Sequence, residues 1–178
     1  MKKSSLFFIP FLLTAAGCHS MPSIPPAVSG FEIERYLGRW YEIARLPNWF
    51  EQGMSDISAE YSRLPDGSLL VVNRGIKSGK AKSISGKLRF ADQENSGELE
   101  VSFFRPFYNS YRIIKLAPDY RYSVVTSGNG KYLWILSRDR TLPESDFNEI
   151  TAFLKRHAFP IEKLIWDPAA ASSPKQTQ

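Results

Sequence analysis

From residue 40 to residue 138 the chain alternates apolar and polar positions with a period of two, in short stretches separated by turn-forming residues. The stretches Trp40–Leu46, Ser55–Leu64, Ser68–Ile76, Lys82–Ala91, Glu98–Phe104, Asn109–Leu116, Tyr120–Ser127 and Tyr132–Arg138 predict eight strands. Between them lie Asp66-Gly67, Ser78-Gly79, Ser96-Gly97, Pro118-Asp119 and Gly128-Asn129-Gly130, which favour tight antiparallel hairpins and therefore an up-and-down meander. The period then changes. Phe147, Ile150, Leu154 and Ala158 recur at helical spacing with Phe153 widening the stripe, acids near the start, and Lys155, Arg156 and His157 near the end, before Pro160 stops the helix. Glu162–Trp166 reads as a short last strand placed to pair beside the first. Closure removes both exposed sheet edges, so the pattern predicts an all-β fold: an eight-stranded antiparallel up-and-down β-barrel with one C-terminal α-helix packed outside.

The two ends of the chain follow a different logic. Lys2 and Lys3, the apolar run Leu6 to Leu13 and the small residues Thr14-Ala15-Ala16-Gly17 precede Cys18, the one cysteine in the sequence. The run is too short for a membrane-spanning helix and reads as a removable export signal over residues 1–17. The segment resembles a bacterial lipobox, although Ala15 stands where that motif usually has Leu. The resemblance implies acylation of Cys18 and, because His19 rather than Asp follows, an outer-membrane destination facing the periplasm. Residues 18–30, rich in proline and small side chains, then read as a lipidated N-terminus and flexible tether, residues 31–168 as one barrel domain, and residues 169–178 as a disordered tail.

The formal charge of +5 is weak evidence about partners, since two of those charges leave with Lys2 and Lys3 and the other cations are scattered among acids. That scatter argues against a nucleic-acid surface. Nucleophilic catalysis lacks its parts: there is no Gly-x-Ser-x-Gly elbow, no second cysteine, and the histidines are only His19 and His157. The same two isolated histidines make no metal site, and no motif calls for a cofactor.

Three longer motifs carry a family resemblance. Tyr36-Leu-Gly-Arg-Trp-Tyr-Glu-Ile-Ala-Arg45, Val101-Ser-Phe-Phe-Arg-Pro-Phe-Tyr108 and Tyr132-Leu-Trp-Ile-Leu-Ser-Arg138 occur in order. Together they resemble bacterial outer-membrane lipoprotein lipocalins of the Blc type. The middle lipocalin motif, usually Thr-Asp-Tyr, is represented by Pro118-Asp119-Tyr120. The resemblance implies structural roles for Trp40, plugging the closed end of the barrel, and for Arg138, stacked across it. It also allows a homodimer.

An eight-stranded barrel has room for one small ligand. Alternation counted inward from Trp40 nominates Ile57 and Ala59, in line with Tyr61, and then Val71, Asn73, Val101, Phe103, Tyr111, Ile113, Tyr132 and Trp134 as cavity lining. The fourth and seventh strands give no clear parity and nominate none. Trp49 and Phe50, in a long first connection without strand period, are expected to form a lid, with Phe104 to Tyr108 as the opposite lip. An apolar lining with few polar tips suits an acyl chain, so the expected ligand is a fatty acid or lysophospholipid for storage or transport in the envelope. The alternatives are a carrier of another hydrophobic compound, such as a porphyrin or toxicant, and an envelope scaffold that docks a protein partner.

Overall fold

The computed structural model describes residues 23–168, so Cys18, the signal segment and the C-terminal tail lie outside the described residues. The short helix α1 (Ile33–Tyr36) leads into β1 (Gly38–Arg45), β2 (Met54–Arg63), β3 (Leu69–Lys77), β4 (Lys80–Phe90), β5 (Glu98–Phe104), β6 (Phe107–Leu116), β7 (Tyr122–Thr126) and β8 (Leu133–Ser137). Helix α2 (Glu144–Arg156), a 3-10 turn and β9 (Ile165–Trp166) follow. Consecutive strands pair antiparallel, and β1 pairs with both β2 and β8, closing the sheet into a barrel. The expected last strand is present, with Trp166 opposite Ala44.

Side-chain alternation divides the apolar residues into two cores. Trp40, Tyr61, Val71, Leu99, Ile113 and Val125 pack inside the barrel. Ile43, Ile114, Val124 and Ile135 point outward and are covered by Ile150 and Leu154 of α2. Both faces of β7 are therefore buried, which explains why its sequence lacks a clean alternation.

The barrel is sealed at the end where β1 begins. The Trp40 indole is fully buried, donates its N–H to the Tyr36 carbonyl at 2.8 Å, and lies 3.9 Å under the Arg138 guanidinium. Arg138 in turn donates to the carbonyls of Arg39 (2.9 Å) and Arg35 (2.7 Å). Gly38 has φ +89°, and a Cβ there would sit 3.5 Å from Arg138 Nη1. A glycine thus makes the corner from α1 into β1 directly beside the guanidinium.

Three expectations need correction. The seventh strand begins at Tyr122 rather than Tyr120, because Tyr120 takes φ +63° and donates its N–H to Ala117, making a turn. Helix α2 ends at Arg156, two residues short of Ala158. There Ala158 adopts φ +57°, and Phe159 donates back to the Leu154 carbonyl while its ring enters the outer core, so the stop precedes Pro160. The stretch 23–30, expected as free tether, is bound to the barrel. Val28 donates to Ile113 O (2.9 Å), Gly97 donates to Val28 O (2.8 Å), and Ser29 bridges to Ser96. Its proline content blocks regular structure but not this docking, because the strap borrows its hydrogen bonds from Ile113 of β6 and from the turn residues just ahead of β5.

Gly97 makes that close approach possible, since a Cβ there would fall 2.8 Å from Val28 Cγ2 and 3.1 Å from Ile113 Cβ. Gly97→Val is expected to lift the strap from the barrel. Hydrogen exchange should show the Val28 amide losing protection while the amides of β7 and β8 keep theirs.

Candidate functional site

The interior above the Trp40 floor holds the candidate site. Ala59, Val71 and Ile113 are buried in the inner core, with Val101, Phe103, Tyr111 and Trp134 packed against it. Phe103 lies where a Cβ on Gly86 would come within 2.8 Å, so that glycine gives the ring its place. Ile57 is placed beside Gly75 by an irregularity in β2. A register shift between Ser55 and Ser58, with Asp56 at φ +50°, sets the buried Ile57 3.1 Å from the position a Gly75 Cβ would take. Asn73 pairs in register with Ala59, and its Oδ1 is buried without a hydrogen-bond partner.

Two polar stations interrupt the apolar wall. The lower one is a chain of hydroxyls: Tyr111 shares hydrogen bonds with Tyr36 at 2.8 Å and Tyr61 at 2.7 Å, and Tyr36 donates to Ser123 Oγ at 3.3 Å. Burial pushes the Tyr36 hydroxyl up to about 12 and those of Tyr61 and Tyr111 well above the ordinary tyrosine value. All three therefore stay neutral at physiological pH, which leaves hydroxyl dipoles rather than charge at the base of the chamber.

The upper station is an ion cluster beneath the first loop. Arg45 donates to Glu42 Oε1 at 2.6 Å and to the main-chain carbonyls of Glu51 and Met54, each at 3.2 Å. Its Nε lies 3.7 Å from Glu51 Oε2, which also accepts the Trp134 indole N–H at 3.1 Å. Asn48 Nδ2 donates to the same oxygen, and its Oδ1 accepts from the Glu51 N–H at 2.7 Å, tying the loop to its own acid. Glu42, Arg45 and Glu51 are all buried. Loss of water raises the Glu42 carboxyl to about 8; the negative charges of Glu51 and Asp167 add to this, and Arg45 opposes it.

Of the two residues expected to form a lid, Phe50 packs beside this station. Phe50 packs edge-on to Tyr132 at 5.4 Å and tilts against Trp134 at 6.3 Å. Trp49 contacts Phe50 at 5.6 Å, yet it remains 77% exposed. Tyr132 and Trp134 are therefore brought together with Phe50 and Glu51, whereas Trp49 faces solvent.

Seven of the ten expected lining residues, Ala59, Val71, Val101, Phe103, Tyr111, Ile113 and Trp134, pack in or against the inner core, and sequence reasoning missed the polar groups beside them. Glu42 follows Trp40 by two residues on the same strand, and that parity alone marks it as inward. Arg45 has the opposite parity. A register shift between Glu42 and Ala44 turns it inward opposite Trp134, and no local sequence signal announces that shift. Tyr36 sits in a four-residue helix before the first expected strand. An open groove of about 700 Å³ also runs beside β4, bordered by Arg63, Lys87, Arg89, Arg105, Asp92 and Tyr108 among others, and none of the expected lining residues borders it. Its mixed-charge, open walls suit an acyl chain less well than the barrel interior does.

Glu42 also predicts a pH dependence. Its folded value lies above the ordinary glutamate value, so the native state holds a proton that the unfolded chain releases between about pH 4.5 and 8. Stability should fall across that window as pH rises, with Glu42 contributing a few kcal/mol. Urea unfolding at pH 5 and pH 8 should show that Glu42→Gln flattens this slope.

The comparisons with known proteins agree with this architecture. A lipocalin-like domain family matches residues 31–169. The outer membrane lipoprotein Blc of Vibrio cholerae serotype O1 is 39% identical over 165 residues, covering 91% of this chain and 96% of that protein. The outer membrane lipoprotein Blc of Escherichia coli K12 is 39% identical over 158 residues, covering 88% and 89%. Among solved structures, insecticyanin from the tobacco hornworm Manduca sexta is similar with a TM-score of 0.68 at 21% identity, over 82% of this chain and 86% of that one, a likeness of fold alone. A closed barrel with an outer helix, a family match over most of its length and relatives at this level of identity place the chain in the lipocalin family.

Proposed function

We propose that this lipocalin holds a fatty acid or lysophospholipid inside its barrel, for lipid storage or transport in the cell envelope. The observation that carries this reading is the layout of the chamber: apolar walls from Ile57, Ala59, Val71, Val101, Phe103 and Ile113, with a polar station at each end. Each methylene buried there contributes about 0.8 kcal/mol. A head group at the mouth would meet Arg45, Glu51, the Trp134 indole and Tyr132 beneath Phe50, while a polar group reaching deeper would meet Asn73 and the Tyr111 hydroxyl. Trp40 and Arg138 hold the floor and take no part in binding.

The lipobox-like segment ending at Cys18, together with relatives named as outer membrane lipoproteins, supports an acyl anchor at Cys18 in the outer membrane with the barrel in the periplasm. Residues 1–17 are then the signal peptide, residues 31–168 the binding domain and residues 169–178 a tail.

Native mass spectrometry of the mature chain beginning at residue 18, carrying Cys18→Ser and purified without detergent, tests the ligand. The expected result is a bound mass matching a fatty acid or lysophospholipid. Trp134→Glu, which sets a second carboxyl beside Glu51, should weaken uptake at least tenfold. A chain that arrives empty and takes up no added acyl lipid would overturn the carrier reading.

A further inference from the structure

The two ends of the barrel differ in surface chemistry. The connections at the closed end and the strand ends beside them hold the exposed acids Asp66, Asp92, Glu94, Asp119 and Asp139 alongside the exposed cations Arg39, Arg63, Arg121 and Arg140, and Asp119 pairs with Arg121. Those at the mouth join β1 to β2, β3 to β4, β5 to β6 and β7 to β8. Their one acid is Glu51, which is buried against Arg45. In the same connections and the strand ends beside them stand the exposed cations Lys77, Lys80, Lys82, Arg105 and Lys131. The exposed charge of the mouth is thus cationic, whereas that of the floor is mixed.

The mouth also holds the most exposed large apolar side chains among the described residues. Trp49 is 77% exposed, Phe104 73% and Phe107 72%. Phe104 and Phe107 are register partners across the Arg105-Pro106 turn, so two rings and a guanidinium share one hairpin tip. Ile76 and Ile84 add partly exposed apolar surface on the β3–β4 hairpin. That hairpin projects past its neighbour, because β4 pairs with β5 only from Lys87 to Phe90 while it pairs with β3 from Lys80 onward. Aromatic tips interleaved with lysine and arginine match an interface between water and lipid: the rings enter the head-group layer and the cations meet phosphates.

We propose that the mouth of this barrel is a membrane-docking face for an anionic phospholipid bilayer. Trp49, Phe104 and Phe107 enter the head-group region, while Lys77, Lys80, Lys82, Arg105 and Lys131 supply the attraction. Docking in this orientation sets the open end of the chamber against the lipid surface. This goes beyond the carrier reading and stands without it. Where Cys18 is acylated, four residues, and so five Cα-to-Cα steps, separate it from Ser23, which is bound to the His157 carbonyl at the end of α2. That length reaches about 18 Å at full extension, so the anchor holds the domain at the bilayer and the charge asymmetry selects which end faces it.

The test is vesicle co-sedimentation of the mature chain with Cys18→Ser, so that the folded surface is the only link to lipid. Vesicles of phosphatidylethanolamine with phosphatidylglycerol are compared with vesicles of phosphatidylcholine alone. Binding is expected on the anionic vesicles and should fall as salt rises. The triple variant Lys77→Ser/Lys80→Ser/Lys82→Ser should weaken partitioning on the order of a hundredfold. Phe104→Ser/Phe107→Ser should weaken it at least tenfold. Both variants are expected to keep the parent's urea midpoint and fatty-acid uptake, since none of these side chains belongs to the core or the chamber. No binding, equal binding to both vesicle types, or indifference to both variants would overturn the proposal. A dimer abolished by Phe104→Ser/Phe107→Ser, in a chain that ignores vesicles, would overturn it in favour of a second copy on this face. Vesicle binding by a chain that takes up no fatty acid would support docking while sinking the carrier reading.

Discussion

Closure of the sheet through β1 is the constraint from which the other features follow. The first half of β1, Gly38 to Tyr41, pairs with β2, and the second half, Tyr41 to Arg45, pairs with β8. One eight-residue strand thus completes the barrel at both of its would-be edges. Trp40 becomes the floor, and a guanidinium held over its ring by two main-chain carbonyls excludes water beneath it; such a shielded contact contributes about 1–2 kcal/mol. Once the floor is dry, each polar group above it needs a partner inside the protein. The Tyr36–Tyr111–Tyr61 hydroxyl chain and the Glu42–Arg45–Glu51 cluster meet that need.

A buried arginine between two carboxyls is weak evidence for stability. Removing charges from water costs several kcal/mol per ion, and their attraction recovers this only when every remaining donor and acceptor is engaged. Arg45 comes close: Glu42, Glu51 Oε2 and two carbonyls surround it, while its Nε lacks a hydrogen bond. The cluster does fix the first loop in place. Glu51 joins Arg45, Asn48 and Trp134, so the loop is tied to the chamber wall by its own acid, and Phe50 is set against Tyr132 and Trp134. Polarity and lid are one construction, and a head group entering the mouth would meet both together.

Much of this was legible in the sequence because a barrel obeys a two-residue rule over long stretches. Trp40, Ala59, Val71, Val101, Ile113 and Trp134 fall inside by counting alone, and the helical stripe of Ile150 and Leu154 lands on the outer face where it was expected. What escaped was decided by breaks in that rule. Arg45 turns inward only through the register shift in β1, Ile57 settles beside Gly75 through the irregularity at Asp56, and Tyr120 leaves its strand by adopting positive φ. The strap at Val28 escaped for another reason. Its hydrogen bonds belong to Gly97 and Ile113, some seventy and eighty-five residues away, and proline content reports on the segment's own preferences rather than on what it docks against.

The chamber and the surface around its mouth pose one physical problem. An acyl chain leaving a bilayer for a dry cavity loses little on arrival, since both environments are apolar, but it pays heavily for every methylene wetted on the way. The barrier falls if the mouth touches the head-group layer before the chain moves. The barrel meets that condition by separating its chemistry along one axis: a stacked tryptophan and mixed charges at the floor, and cations with exposed rings at the rim. Charge sets the orientation, the rings set the depth, and the buried Arg45 cluster offers polar contacts where a head group would follow its chain inward.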